Sequence, residues 1–354
     1  MNVENTNNYH KGRGAQLNTH NKYIAHQLVQ EHIEGLDEDL PTEHKTEFFH
    51  EYPKKIVNKP DSEDMPTTYS INPYQGCEHG CIYCYARNAH EYWGFSAGID
   101  FETKIMVKPQ APQLLQEAFE KPSWQVDTIM LSGNTDCYQP AERKYQLTRK
   151  MLEICLRYRN PVGIITKNAL ILRDIDILSE MAKQRLVTVH VSLTTLNESL
   201  RLAMEPRTVT GKQRLRVIEK LTEAGIPVGV MTAPIIPALN SYEIPKLIEE
   251  AANHGALGAG YTIVRLNGSI GPIFTDWVHK NFPDRANKVL NLIKSCHAGQ
   301  LNDSRFGVRK VGDGKVAENI RMLHKISCAK FFRGREFPKL DKTSFRRPGQ
   351  IALL

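Results

Sequence analysis

The chain has 354 residues, 41% of them hydrophobic and 24% charged, with 7 Cys, 23 Gly and 19 Pro. That composition excludes collagen-like, disordered and disulfide-scaffold classes, and no apolar run approaches the roughly 18 residues that span a bilayer. The net charge of +7 is unevenly spread, because residues 1–50 hold 4 Lys/Arg against 8 Asp/Glu while residues 301–354 hold 13 against 5.

The opening stretch MNVENTNNYHKGRG is polar and lacks an apolar signal-peptide core, so a cytoplasmic protein with no membrane association is expected. Residues 1–66 read as a loosely structured extension in which HQLVQEHIEGL forms one short helix and NKPDSEDMPTT begins a turn-rich linker. From about Tyr69 short β-branched runs alternate with longer amphipathic ones. The strand candidates are YSINPY, DTIMLSG, VGIITK, VTVHVSL, VGVMTAPII and GYTIVRL. Between them AERKYQLTRKMLEICLRY, LRDIDILSEMAKQ, GKQRLRVIEKLTEAG and SYEIPKLIEEAANHG read as helices. Tyr145, Met151, Leu152 and Cys155 share one face of the first, and Gly225 and Gly255 stand at C-cap positions.

This alternation implies parallel strands with right-handed crossovers. Six units over about 230 residues suit an α/β fold built as an incomplete (β/α)6 barrel over residues 67–298, with extensions at 1–66 and 299–354. A doubly wound sheet is the alternative, although no strand is followed by GxGxxG or a Walker A sequence.

Of the seven cysteines, Cys77, Cys81 and Cys84 lie within YSINPYQGCEHGCIYCYAR, while Cys155, Cys296 and Cys328 sit in helical patterns and read as packing. Three thiolates on one tight loop are soft ligands for zinc or an iron–sulfur centre. A closed zinc site wants a fourth protein ligand. No second Cys pair follows, and His79 would crowd the same loop, so a cluster with one open iron suits the spacing better.

The C-x3-C-x2-C loop with an aromatic before its last Cys resembles the signature of radical S-adenosylmethionine (SAM) enzymes. Together with SGNTDCYQPAE and KGRGAQLN, it is similar to the DNA-repair-photolyase-like branch related to spore photoproduct lyase. The resemblance implies a radical SAM barrel in which Cys77, Cys81 and Cys84 hold a 4Fe–4S cluster. SAM would chelate the open iron, and one-electron reduction by a partner such as flavodoxin or ferredoxin would release a 5′-deoxyadenosyl radical that takes hydrogen from substrate. It further implies that Tyr83 lies near the adenine, and that Ser132, Gly133, Asn134 and Thr135 stand where the family's Gly-Gly-Glu-like segment receives the methionine amino group. This chain has no Glu there, which leaves the acceptors open among backbone carbonyls, Asn134, Thr135 and Asp136.

Lys167, Ser192 and Thr194 end the third and fourth strand candidates at the barrel mouth. Lys167 or Arg207 is a candidate partner for the SAM carboxylate and Ser192 for its ribose or methionine groups, each against the alternative of an ordinary loop residue. GVMTAPIIP is either an apolar wall for the adenine or core. Cys137, beside the amino site, is a candidate hydrogen donor by neighbourhood with the lyase, or a structural thiol. Nucleic acid is one candidate substrate, a peptide or small molecule another. The basic tail KFFRGREFPKLDKTSFRRPG either combines phosphate contacts with stacking by Phe331, Phe332, Phe337 and Phe345 or packs those rings onto the barrel.

Overall fold

A computed structural model describes residues 10–23, 45–59 and 69–347. The short helix read from HQLVQEHIEGL lies outside the described residues, as does most of the linker after it. The described residues form nine strands: β1 (Glu47–His50), β2 (Tyr69–Ile71), β3 (Tyr74–Gln75), β4 (Lys104–Val107), β5 (Ile129–Leu131), β6 (Val162–Thr166), β7 (Val187–Ser192), β8 (Val228–Ile235) and β9 (Ala259–Ile263). Six of them form one all-parallel sheet in the order β2-β5-β6-β7-β8-β9, and each corresponds to one of the six strand candidates. Among the described residues β9 does not pair back to β2, so the sheet is an open α/β arc of (β/α) units. Short apolar runs alternating with amphipathic helical ones are what sequence alone could find.

Three strands escaped that reading. β1, β4 and β3 form a separate small sheet, parallel between β1 and β4 and antiparallel between β4 and β3. YSINPY is therefore not one strand: β2 ends at Ile71 and β3 turns into the second sheet. The first helix candidate is also interrupted. Gln146 takes φ 52°, splitting Glu142–Tyr145 from Leu147–Tyr158. Met151, Leu152 and Cys155 reach the main core, whereas Tyr145 turns to Phe48 of β1, its ring centroid 5.5 Å away. The helices Gly211–Glu223 and Ile244–Asn253 end as expected, with Gly225 at φ 75° and Gly255 at φ 98°.

Residues 299–347 share the main core. The helix Gly314–Phe331 packs against Ile244–Asn253, and Ala317, Ile320 and Phe332 are buried with the sheet's own side chains. Beyond it, the basic segment runs as a strap beneath the N-terminal edge of the sheet. Arg335 donates to the carbonyls of Ala252 and Ala256, Asp341 N–H to that of Arg185, and Arg346 N–H to that of Tyr158. Arg347 donates to the carbonyls of Phe119 and Lys121. Several of these carbonyls end helices, where cations are favoured. Phe337 stacks on His190 of β7 at 5.4 Å and fills the space left by Gly229 and Gly258, and Phe345 packs against Phe119 and Tyr158. The rings offered for stacking on bases are thus spent on the barrel, on the edge opposite the cysteine loop.

Ending the chain at Gly334 is accordingly expected to lower the thermal midpoint markedly rather than only to weaken anion binding. An unchanged midpoint in calorimetry would contradict the strap. No described helix is long and apolar enough to cross a membrane.

Candidate functional site

The cysteine loop leaves β3 and reaches the 3-10 helix Tyr85–Trp93, lying at the C-terminal edge of the parallel sheet where the 132–137, 167–168 and 192–195 turns also emerge. Gly76 (φ 78°), just before Cys77, and Gly80 (φ 67°), between Cys77 and Cys81, let the backbone fold back around the first two cysteines. Cys77 N–H donates to Phe101 O at 2.9 Å, and Ile82 N–H to Met204 O at 3.0 Å. Arg87 Nε–H donates to Cys81 O at 3.0 Å. All three thiols are free, two buried and Cys84 half-buried.

Burial raises the Cys77 thiol well above its usual value, and Asp136, Cys81 and Cys84 raise it further. Burial likewise lifts Cys81 to about 12, opposed by Lys167 and Arg214, and raises Cys84 against Arg87. Such thiols resist ionising unless a bound metal centre supplies positive charge. Among the described residues no three His, Cys, Asp or Glu side chains are placed to hold a single ion. Three free thiols on one loop are a donor set that would hold an iron–sulfur cluster.

Glu205, Lys167 and His79 surround the loop, and of these Glu205 is the one the sequence reading did not single out. Glu205, fully buried, accepts from Tyr83 Oη, from Arg214 Nη2 and from Thr194 Oγ1 at 2.8 Å. Burial alone would raise its acid, but Arg214, Lys167 and the Tyr83 bond outweigh it and hold the carboxyl at about 2. Lys167 lies over the Tyr83 ring at 5.9 Å. Burial opposes its charge, yet Cys81 and Glu205 keep its pKa above the ordinary value. His79 has partners on both ring nitrogens: Nδ1 is 3.4 Å from Asp136 Oδ2 and Nε2 is 3.1 Å from Asn168 Nδ2. Burial brings its pKa down to about 4 despite Asp136. Only Arg207 had been singled out in LAMEPRTVTG; the buried carboxylate two residues earlier carries no local sequence signal.

The candidate SAM residues converge on this edge, though most have partners inside the chain. Ser132 (φ 74°) accepts from Cys137 N–H at 2.8 Å, and Gly133 O accepts from Tyr85 Oη at 2.5 Å. Asn134 and Thr135 direct their N–H groups at Asn72 Oδ1, 2.7 and 3.3 Å away. Asn134 Nδ2 donates to Gln75 Oε1 at 2.8 Å, and Thr135 Oγ1 to Tyr74 O at 2.7 Å. Asp136 accepts from Thr166 Oγ1 and from Lys167 N–H, both at 2.8 Å. Ser192 is buried with its carbonyl on Arg214 Nη1 at 3.0 Å. Arg207 is exposed, 3.9 Å from Glu78, and its N–H donates to His79 O at 3.3 Å. Ile236, just past β8, joins the apolar cluster of Cys81, Ile82 and Tyr83, whereas Val228, Val230 and Ile235 are main core. Cys137 has no exposed surface and belongs to the main core; burial and Asp136 raise its thiol well above normal.

The N-terminal KGRGA seals the loop from behind. Gly14 and Ala15 N–H groups donate to Glu102 Oε2 and Oε1 at 3.1 and 2.8 Å. A Cβ on Gly14 would lie 1.7 Å from Gly80 O, so only glycine passes there.

The chain matches the Radical SAM superfamily over residues 71–251. An uncharacterized protein of Mycobacterium tuberculosis is 34% identical over 244 residues, 68% of this chain and 72% of that protein. An uncharacterized protein of Acidianus two-tailed virus is 33% identical over 190 residues, 51% of this chain and 60% of that one. Spore photoproduct lyase complexed with dinucleoside spore photoproduct shares the fold, with a TM-score of 0.61 at 16% identity over 86% of each chain. A variant of that lyase with bound AdoMet and the dinucleoside gives 0.59 over 81% of this chain and 80% of that one. With the cysteine loop at the C-terminal edge of its open parallel sheet, the chain belongs to the radical SAM superfamily and has the fold of spore photoproduct lyase.

Proposed function

We propose that this radical SAM enzyme carries a 4Fe–4S cluster on Cys77, Cys81 and Cys84 and abstracts hydrogen from a lesion in nucleic acid. The observation that carries the first part is three free thiols on one sheltered loop beside Lys167 and Arg214. When bound, the cluster and SAM would supply a 5′-deoxyadenosyl radical after one electron arrives from a low-potential carrier of the flavodoxin or ferredoxin class. The chain's own residues hold and shield that chemistry. Lys167 and Arg214 offset thiolate charge, Arg87 fixes the loop backbone, and the cluster of Ile82, Ile236, Leu239, Val264 and Leu266 keeps water from behind the loop. Tyr85, half-exposed and hydrogen-bonded to Gly133 O, bridges from the cysteine loop to the 132–137 turn. The lesion substrate is supported by likeness of fold to a lyase solved with a dinucleoside spore photoproduct.

The test is electron paramagnetic resonance of the anaerobically reconstituted, dithionite-reduced protein, with and without SAM. A 4Fe–4S signal that shifts on adding SAM is expected. Zinc in place of iron and no such signal would overturn the reading and leave a structural metal loop. With the signal established, 5′-deoxyadenosine release stimulated by ultraviolet-irradiated DNA, but not by undamaged DNA, is the outcome for the substrate; no stimulation would redirect the search to peptides and small molecules.

A further inference from the structure

The turn 204–208, in the sequence MEPRT, is laced to the cysteine loop along its length. Ile82 N–H donates to Met204 O and Arg207 N–H to His79 O, while Tyr83 Oη reaches the Glu205 carboxylate. Behind the turn, Arg201 Nη1 holds Glu205 O at 3.0 Å and Thr208 O at 2.8 Å, and Thr208 Oγ1 accepts from Arg214 Nη2 at 2.6 Å. Glu205 and Arg214 are almost completely buried. Buried charges of this kind are costly unless they are paired, and no residue of this turn is among the presumed cluster ligands. The pair nonetheless lies against the tyrosine that directly precedes the last cysteine.

We propose that Glu205 is a positioning residue for the cysteine loop: through Tyr83 it fixes the loop's geometry, and with Arg214 it sets the local charge in which a metal–sulfur cluster there accepts its electron. This rests on the cluster reading above. The charged and titratable groups around Glu205 are Arg214, Lys167, Tyr83 and Cys81, with His79, Glu78, Asp136 and Arg207 around the adjoining stretch of loop. Glu205 and Arg214 carry opposite charges and pair with each other beside Tyr83, so the two members of the buried pair act on the adjoining loop with opposite sign.

Reduction adds negative charge to a cluster, so a neighbouring carboxylate makes it harder and a guanidinium makes it easier. Redox titration of the reconstituted full-length protein, followed by electron paramagnetic resonance, measures this without catalysis. Glu205→Gln is expected to shift the midpoint potential in the positive direction and Arg214→Gln in the negative direction. The double variant should return close to the unsubstituted protein. Tyr83→Phe changes no charge; it should move the potential less than either single variant, while iron is lost to a chelator several-fold faster.

A merely structural pair would move both single variants in the same direction or leave both in place, and either result overturns the proposal. So does Tyr83→Phe holding its iron as tightly as the unsubstituted chain. If Glu205→Gln fails to fold around the unpaired Arg214, the Arg214→Gln, double and Tyr83→Phe proteins decide the matter. If the unsubstituted protein takes up no cluster, the proposed function falls before any variant is compared, which separates the two failures.

Discussion

Alanine at Cys77, at Cys81 or at Cys84 is expected to abolish reductive SAM cleavage while leaving the sheet folded. Each thiol stands on a loop at the sheet's edge; Cys81 belongs to a separate cluster that includes Ile270, Phe274 and Trp277, and Cys77 to one with Ala86 and Phe101, neither in the main core. Loss of one small side chain there costs on the order of 1 kcal/mol of stability. On the proposed function the loss is far larger, because two remaining thiols would no longer hold an iron–sulfur cluster in place. Anaerobic assay of 5′-deoxyadenosine, with iron content and far-ultraviolet circular dichroism on the same samples, checks both halves. Undiminished release from any of the three proteins would remove the assignment.

Glu102→Ala is expected to be the most damaging single change outside the loop. Its carboxylate has no exposure and accepts from Gly14 N–H, Ala15 N–H and, at 2.6 Å, Arg87 Nη2. Arg87, itself fully buried, donates in turn to the carbonyls of Cys81, Ala97 and Gly98. Removing one partner leaves the guanidinium charged and uncompensated in the interior, at a cost of about 3–5 kcal/mol. The two orphaned backbone donors add to that. Urea unfolding monitored by circular dichroism should show a large fall in midpoint with little change in slope. Because Arg87 also holds Cys81 O, poorer iron retention should accompany it. A midpoint unchanged from the natural chain would mean that Glu102 does not hold the KGRGA segment and the loop together.

The six strands of the parallel sheet were legible because each lies in an apolar run that alternates with an amphipathic helical one, a pattern local to each unit. The cysteine loop was legible for the same reason: Cys77, Cys81 and Cys84 are spaced by the loop itself, and their chemistry needs no distant partner to be recognised. β1, β3 and β4 were not legible. They are two to four residues long and pair across a sheet that joins segments about 30 to 60 residues apart, so no periodicity develops within any of them. The break at Gln146 lay hidden in an otherwise helical pattern, and its effect, sending Tyr145 to Phe48, depends on a strand nearly 100 residues earlier.

Charge misleads more than apolar pattern does. In the sequence Glu102, Glu205, Arg87 and Arg214 resemble any solvated side chain, and the basic tail resembles a phosphate-binding arm. Whether a charge is buried is settled by what folds over it: Gly14 over Glu102, Tyr83 over Glu205, and the N-terminal edge of the sheet over Phe337 and Arg347. The sequence by itself determined the α/β class, the alternation of strands and helices in its main units and the cysteine loop, since each is encoded over a few consecutive residues. Only the tertiary structure decided which carboxylates hold that loop and which face the tail covers, because the desolvation that gives a charge its energetic weight exists only once segments far apart in sequence have closed around it.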